Sequence, residues 1–277
     1  MHNKFVDIHV LQSVPPSCIN RDENGSPKTA IYGGVSRLRV SSQAWKRAVR
    51  ETFTVNLSSE ESAQRTVHIV DLVTAAIIER DASLADRAPE LAEAVVTATG
   101  VKVKLDKNGQ LKVTGYLLFL SNAQVGLLAD EAVAAAHEDR AIDKKVAKAA
   151  LRGENSIDLA LFGRMVADWP DANVDAACQV AHAISTHNAA HEFDFFTAVD
   201  DVKSQSEDAD AGAGMMGTVE FSSATLYRYA SINVDALVDN LGTRSVAQTA
   251  ISEFVRAFIT SMPSGKVNTF ANHTLPS

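Results

Sequence analysis

The residues best suited to chemistry in this sequence are cations grouped near its start. Arg37, Arg39, Ser41, Gln43, Lys46 and Arg50 follow one another closely, with Arg21 and Lys28 a short way before them. From Arg37 to Ser41 the residues alternate, which predicts a strand with Leu38 and Val40 inward and Arg37, Arg39 and Ser41 outward. Ser42 is a good N-cap and predicts a helix from that point. At about 100° per residue, Trp45, Ala48, Val49, Thr52 and Phe53 share one side of that helix, and Gln43, Lys46, Arg47 and Arg50 share the other. A helix N-terminus attracts anions, because its free N–H groups and the positive end of its dipole point the same way. One phosphate would sit at the cap and its neighbours along Lys46 and Arg50. The bland alternative is a surface helix with its arginines in water. Arg21 and Lys28, arriving from the preceding loop, favour phosphate binding.

Other constellations are weaker. Cys178, His182, His187 and His191 are metal-ligand types, but on a continuous helix Cys178 and His182 share one face while His187 and His191 lie opposite. Four ligands on two faces cannot close one tetrahedral site, so ordinary packing is the better reading. Asp22, with Asp194, Asp200 and Asp201, could hold Mg²⁺ for phosphodiester cleavage. No spacing ties those carboxylates together, and loop carboxylates usually form turns. No nucleophile elbow supports a Ser–His–Asp reading, and Gly33-Gly34 is neither a Walker nor a dinucleotide fingerprint. Nothing compels an enzyme, and no metal or cofactor is expected.

The net charge of -8 argues at first against a polyanionic partner, but its distribution reverses the argument. Residues 1–50 carry eight basic groups against Asp7, Asp22 and Glu23, and the remainder carries 18 basic and 31 acidic ones. An acidic body with one basic patch holds phosphates locally and repels them elsewhere. The 277 residues, 46% hydrophobic, suffice for one elaborate domain or two small ones. No apolar run is long enough to span a bilayer, and no signal-peptide core follows Met1. Cys18 and Cys178 are far apart in no metal-type pairing, so a reduced, cytoplasmic protein without a membrane partner is expected.

Strand alternation is predicted from Phe5 to Gln12, followed by a long loop from Ser13 to Gly34. Ser58 and Glu61 have capping-box spacing ahead of a helical run through Val67, Val70, Val73 and Ile77. Ala-rich helical patterns follow at 82–98, 123–137 and 141–151, around a hairpin turning at Asn108-Gly109 and a short strand from Tyr116 to Leu120. Phe195 to Val199 and Gly217 to Ser222 flank the polar, acidic connector Ser204–Gly214 and predict an extended hairpin arm over 190–222. Ala224 to Ile232 predicts a further strand and Ser245 to Met262 an amphipathic helix. The fold class expected is α+β, with strands paired to helices at both ends of a helical insertion.

Three blocks carry a family likeness: IHVLQSVPPSCINRDENGSPKTAIYGGVSRLRVSSQAWKRAVR (Ile8–Arg50), HAISTHNAAHEFDFFTAVDD (His182–Asp201) and GTVEFSSATLYRYASINV (Gly217–Val234). They resemble the backbone subunit of type I-E CRISPR Cascade, the CasC family of the RAMP superfamily. The likeness is dense in those blocks, thin between them, and keeps its order along the chain. It implies a hand-shaped protein: an RRM-like (ferredoxin-like) palm from 1–56 and 223–277, helical fingers over 57–188, and a hairpin thumb over 190–222. Several copies would assemble along the CRISPR RNA (crRNA), each thumb folding over and kinking the RNA of its neighbour. The spacer would then be presented for pairing with target DNA in antiviral defence, alongside other Cascade subunits.

The resemblance also implies RNA-backbone contacts at Arg21, Lys28, Ser41, Gln43, Lys46 and Arg50, with Arg37, Arg39 and Arg164 in the same surface. Met165 would pack against bases near the kink and Thr197 would mark the thumb base. Backbone subunits of this type are not nucleases. Those of type III complexes cut RNA with a loop aspartate, which makes Asp22 the residue to watch. The RRM aromatic stacking consensus is not recognisable. Family members continue well past the position matching Ser277 and complete the palm there, so the resemblance implies a palm lacking its C-terminal part.

Overall fold

The computed structural model describes residues 4–58, 61–166, 169–198 and 215–276, and shows a mixed α+β fold with antiparallel strand pairs. The first elements are β1 (Phe5–Ser17), β2 (Thr29–Tyr32), β3 (Val35–Val40) and α1 (Ser42–Asn56). Next come β4 (Ala63–Thr66), α2 (Ile69–Arg80), α3 (Ala88–Ala98), β5 (Val103–Leu105), β6 (Lys112–Thr114) and β7 (Leu118–Ser121). They are followed by α4 (Asn122–His137), α5 (Lys144–Ala150) and α6 (Ile157–Phe162). The remainder is β8 (Cys178–Val180), β9 (Ala183–Ser185), β10 (Glu192–Ala198), β11 (Met215–Asn233), α7 (Val234–Leu241), α8 (Arg244–Thr260) and α9 (Val267–Phe270).

The chain forms two compact units. A helical unit takes the residues through Val6, Arg50–Gln179 and Ser231–Phe254, and a sheet unit takes Asp7–Val49, Val180–Ala230 and Val255–Ser277. In the helical unit Ile69, Val73 and Ile77 of α2 are buried with Ala92 and Val95 of α3 and with Leu128 and Ala132 of α4. Alanines on two of the three helices let the backbones approach while the branched chains of α2 fill the gaps. A capping box starts α4: Ser121 Oγ accepts from Gln124 N at 3.0 Å, and Gln124 Oε1 accepts from Ser121 N at 3.3 Å. The hairpin of β5 and β6 turns at Gly109, which has φ +72°, as the Asn-Gly pair predicts.

In the sheet unit the strand order is β1-β11-β9-β3-β2, with β10 also pairing β11. Val14, Leu38, Val40, Ala183, Ala224 and Leu226 pack with Trp45 of α1 beneath it. Into this core projects Arg228, whose guanidinium lies 3.7 Å from the Trp45 ring centroid and 4.4 Å from that of Phe258. It donates to Gln12 Oε1 at 2.6 Å and to the Phe258 carbonyl, and Gln12 in turn donates to the Thr274 carbonyl at 2.7 Å. Burial pushes the Arg228 pKa down to about 9, which leaves the group charged at neutral pH.

Three local expectations change. Ser58 and Glu61 do meet, Glu61 Oε2 accepting from Ser58 N at 3.1 Å and from its Oγ at 2.9 Å, but strand β4 follows instead of a helix, which starts only at Ile69. Buried β7 needs a ladder partner for its main-chain groups, and β4 supplies it. The stretch around Cys178 and His182 is two short strands, not a helix: β9 alternates Ala183 and Ser185 inward with Ile184 outward, between β11 and β3. β1 runs on to Ser17 and β11 is continuous from Met215 to Asn233, so the first loop is shorter, and the late strand longer, than the patterns predict. The connector Ser204–Gly214, with Asp200 and Asp201, lies outside the described residues.

Glu131 on α4 is buried and accepts two hydrogen bonds from Arg140, at 2.6 and 3.1 Å, and one from Asp143 N at 2.7 Å. Arg140 above all holds its carboxyl below the ordinary glutamate value of 4.5. A carboxylate depressed in the folded state stabilises above its unfolded pKa and loses that contribution as pH falls through the folded value. Glu131→Gln should therefore lower the unfolding temperature at pH 7 and narrow its gap to wild type below about pH 4.5, as Glu131 itself protonates. Thermal unfolding by circular dichroism across pH checks this.

Candidate nucleic-acid interface

The basic surface is organised by Asn20. Its carbonyl accepts from Lys28 N at 2.8 Å and its side-chain Oδ1 accepts from Ser41 N at 2.9 Å. The Lys28 carbonyl in turn accepts from Arg39 N at 2.8 Å. The loop after β1 is thus fastened both to β3 and to the start of α1. Ser41, not Ser42, is the cap residue: its hydroxyl accepts from Ala44 N at 3.3 Å. Within the loop Asp22 Oδ1 accepts from Asn24 N at 2.9 Å and Ser26 N at 3.0 Å, and Gly25 supplies the φ of +88° the turn requires. Gly265 presses on the loop's other side, where any Cβ would collide with the Ile19 carbonyl. Arg21, Gln43 and Arg47 are exposed on this fixed frame, and Lys28 and Lys46 are half-buried.

Several expected contacts have other employment. Arg37 and Arg39 lie on the face of β3 opposite the buried Leu38 and Val40, as the alternation predicts, but both are half-buried and engaged within the protein. Arg37 donates to the carbonyls of Tyr32 (3.0 Å) and Ser185 (2.8 Å), and Arg39 to the Thr29 carbonyl (3.2 Å) with His182 Nδ1 also at 3.2 Å. They remain positive charges in the surface, but their donors bind strand ends. Ser41 is buried and its hydroxyl serves the cap.

Arg50 corrects the predicted basic stripe. It leans to Asp158, with Nε 3.2 Å from Oδ2, and its guanidinium lies 4.4 Å from the Phe119 ring centroid. Burial raises the Asp158 pKa, and Ser156 and Arg50 oppose that shift by bonding the charged form. Arg164 is a second correction. It is buried, donates to the Ala172 and Phe119 carbonyls at 2.8 and 3.2 Å, to Gln124 Oε1 at 2.9 Å and to the Leu151 carbonyl, and burial lowers its pKa to about 10. With all its side-chain nitrogens engaged inside the protein, it is an anchor rather than a contact. Beside it Met165 is 82% exposed. Gly163 permits the arrangement: its φ is +76°, and a Cβ there would lie only 2.7 Å from the Val174 carbonyl oxygen. Thr197 is exposed on β10, opposite Met216 of β11.

A family model described as CT1975-like protein matches residues 6–277. The chain belongs to this family. Among solved structures, a chain of "CRISPR RNA-guided surveillance complex, pre-nicking" is 40% identical with a TM-score of 0.85, covering 99% of this chain and 76% of that one. A chain of a second "CRISPR RNA-guided surveillance complex" is 34% identical with a TM-score of 0.72, covering 99% of this chain and 74% of that one. No curated protein matches. The likeness of the three sequence blocks to a Cascade backbone subunit is thereby borne out.

Asp22 is occupied as the turn former described above, and Asp194 lies on β10. Among the described residues no group of three or more His, Cys, Asp or Glu could hold a metal ion. His182 instead contacts Arg39, and His187 Nδ1 lies 2.8 Å from the Asn188 carbonyl. Asn20 is the residue that sequence reasoning missed; an Asn beside Arg21 in a turn-rich loop was its only signal. Lys266 was also missed: next to Gly265, it acts electrostatically on the Cys18 thiol together with Arg21, while burial raises that thiol's pKa.

Removing Arg50 should act on folding before it acts on any ligand. Arg50→Met leaves a buried carboxylate unpaired and should cost about 3 kcal/mol of stability. Adding Asp158→Asn should recover most of it, as urea unfolding of the single and double variants would show.

Proposed function

We propose that this chain is a non-catalytic backbone subunit of a CRISPR RNA-guided surveillance complex, lying along crRNA with further copies of itself and presenting the spacer for pairing with target DNA. The observation that carries the reading is the Asn20-fastened cationic surface of Arg21, Lys28, Gln43, Lys46 and Arg47, in a chain alike over nearly its whole length to chains of such complexes. Cations on a fixed frame suit phosphates, which position a strand without reporting its sequence. Indifference to sequence is what a subunit serving many different spacers requires. In this reading the sheet unit is the RRM-like palm, the hairpin of β10 and β11 the thumb, and Met165 a wedge against bases at a kink.

Lys28→Glu with Lys46→Glu should weaken single-stranded RNA binding more than tenfold. It should also flatten the salt dependence by about 1.4 in log–log slope, since each lost phosphate contact on a single strand removes about 0.7. Fluorescence anisotropy across a salt series measures both; an unchanged slope would sink the proposal. Arg50 is left out of this test because its loss breaks the pairing with Asp158. Electron microscopy with RNAs of defined length tests assembly, the expected result being particles whose length follows that of the RNA. The competing ribonuclease reading through Asp22 predicts cleavage of complementary RNA with Mg²⁺ that Asp22→Asn abolishes. The turn bonds of Asp22 speak against it.

A further inference from the structure

We infer that the exposed face of the sheet at β1 and β11 is a stacking platform for an unpaired nucleobase, centred on Tyr227 and His9. This rests on the single-stranded RNA reading above and adds to it a base subsite on the sheet face that borders the Asn20 surface at Lys28.

The platform is assembled by strand pairing from residues far apart in the chain. His9 Nδ1 lies 2.8 Å from Tyr227 Oη, and the two rings stack with centroids 6.1 Å apart at 28°. On the other side of His9, the Tyr229 ring centroid is 5.0 Å away, and Tyr229 donates to Asp7 Oδ1 at 2.9 Å. Three aromatic rings are therefore locked side by side, and locked rings lose little entropy when a ligand is laid on them. His9 and Tyr227 are exposed, Tyr227 to 39%, Tyr229 is half-buried, and neighbouring Leu11 on the same face of β1 is 50% exposed.

Charge selects the occupant. Ile184 pairs with Tyr227 on one side and with Arg39 on the other, so Tyr227, Ile184 and Arg39 form one rung across three strands. Two strand spacings place Arg39 about 10 Å from Tyr227, with His182 against it and Lys28 bonded to its main chain. Asp7, the acidic group of the platform, sits at the opposite end and is already bonded by Tyr229. An aromatic surface with cations at one end and a carboxylate at the other fits a nucleotide whose base lies on the rings and whose phosphate points to Arg39. Every base offers a π face, so such stacking is tolerant of sequence, as the proposed function demands.

The experiment uses single-stranded RNAs carrying 2-aminopurine at successive positions, whose fluorescence is quenched on stacking. Wild-type protein should quench at defined positions. Tyr227→Ala should abolish that quenching and weaken affinity about tenfold, the size of one lost base–aromatic stack. Tyr227→Phe should keep both, because it loses only the hydroxyl contact to His9. Full quenching by a folded Tyr227→Ala protein that binds RNA would overturn the platform while leaving the phosphate surface intact. So would altered self-association with unaltered quenching, which would make this face a contact between copies. Absence of any RNA binding by wild-type protein would overturn both readings, whereas a Lys28→Glu, Lys46→Glu defect beside normal Tyr227→Ala behaviour would overturn the platform alone.

Discussion

The sheet unit depends on a cation buried in its core. Arg228 sits between the rings of Trp45 and Phe258, its two terminal nitrogens donating to Gln12 and to a main-chain carbonyl while its buried Nε has no hydrogen-bond partner among the described residues. Removing a guanidinium from water is costly, and this one is compensated by two aromatic faces and by dipoles rather than by a carboxylate in bonding contact. The arrangement ties together β1, β11, α1 and α8 at one point. Trp45 lies one turn into α1, just after the Ser41 cap that begins that helix. Asn20 fastens the same helix start through Ser41, ahead of Gln43 and Lys46.

Cations in this chain divide by what surrounds them. Arg164 and Arg228 are interior, and their pKa values fall with burial. Arg37 and Arg39 close the ends of strands, and Arg50 answers a buried aspartate. The cations of the proposed RNA surface are a smaller set than composition suggests, on the loop after β1 and the first turns of α1. Guanidinium groups are suited to the interior posts because a planar fork can bond several carbonyls at once, which an ammonium cannot.

Much of this was legible beforehand. The alternation of β3, the apolar side of α1 and the Asn-Gly hairpin are local patterns, and local patterns report local structure. The failures are tertiary. Helical spacing placed Arg50 beside Lys46 correctly, but no spacing could reveal a buried Asp158 about one hundred residues later. Short strands such as β9 owe their form to neighbours on both sides, so a lone tripeptide of Ala, Ile and Ser carries no signal of it. His9 and Tyr227 meet only because β1 and β11 are adjacent, which is why a linear aromatic consensus misses them. Arg164 was placed in the surface by the family resemblance; its four protein acceptors are visible only in three dimensions.

Met165 shows what such an anchor accomplishes. A flexible loop that carried the same thioether would have to be ordered on each encounter, at roughly 1–2 kcal/mol for every backbone residue fixed. Here Gly163 and Arg164 have settled the backbone in advance, so only the methionine's own rotamers remain to be chosen. Its soft, unbranched side chain can shape itself to whatever surface it meets. In the proposed reading, rigid mounting and a compliant tip would together allow one contact to be repeated along a long partner with the same geometry each time, whatever chemical detail lies beneath it.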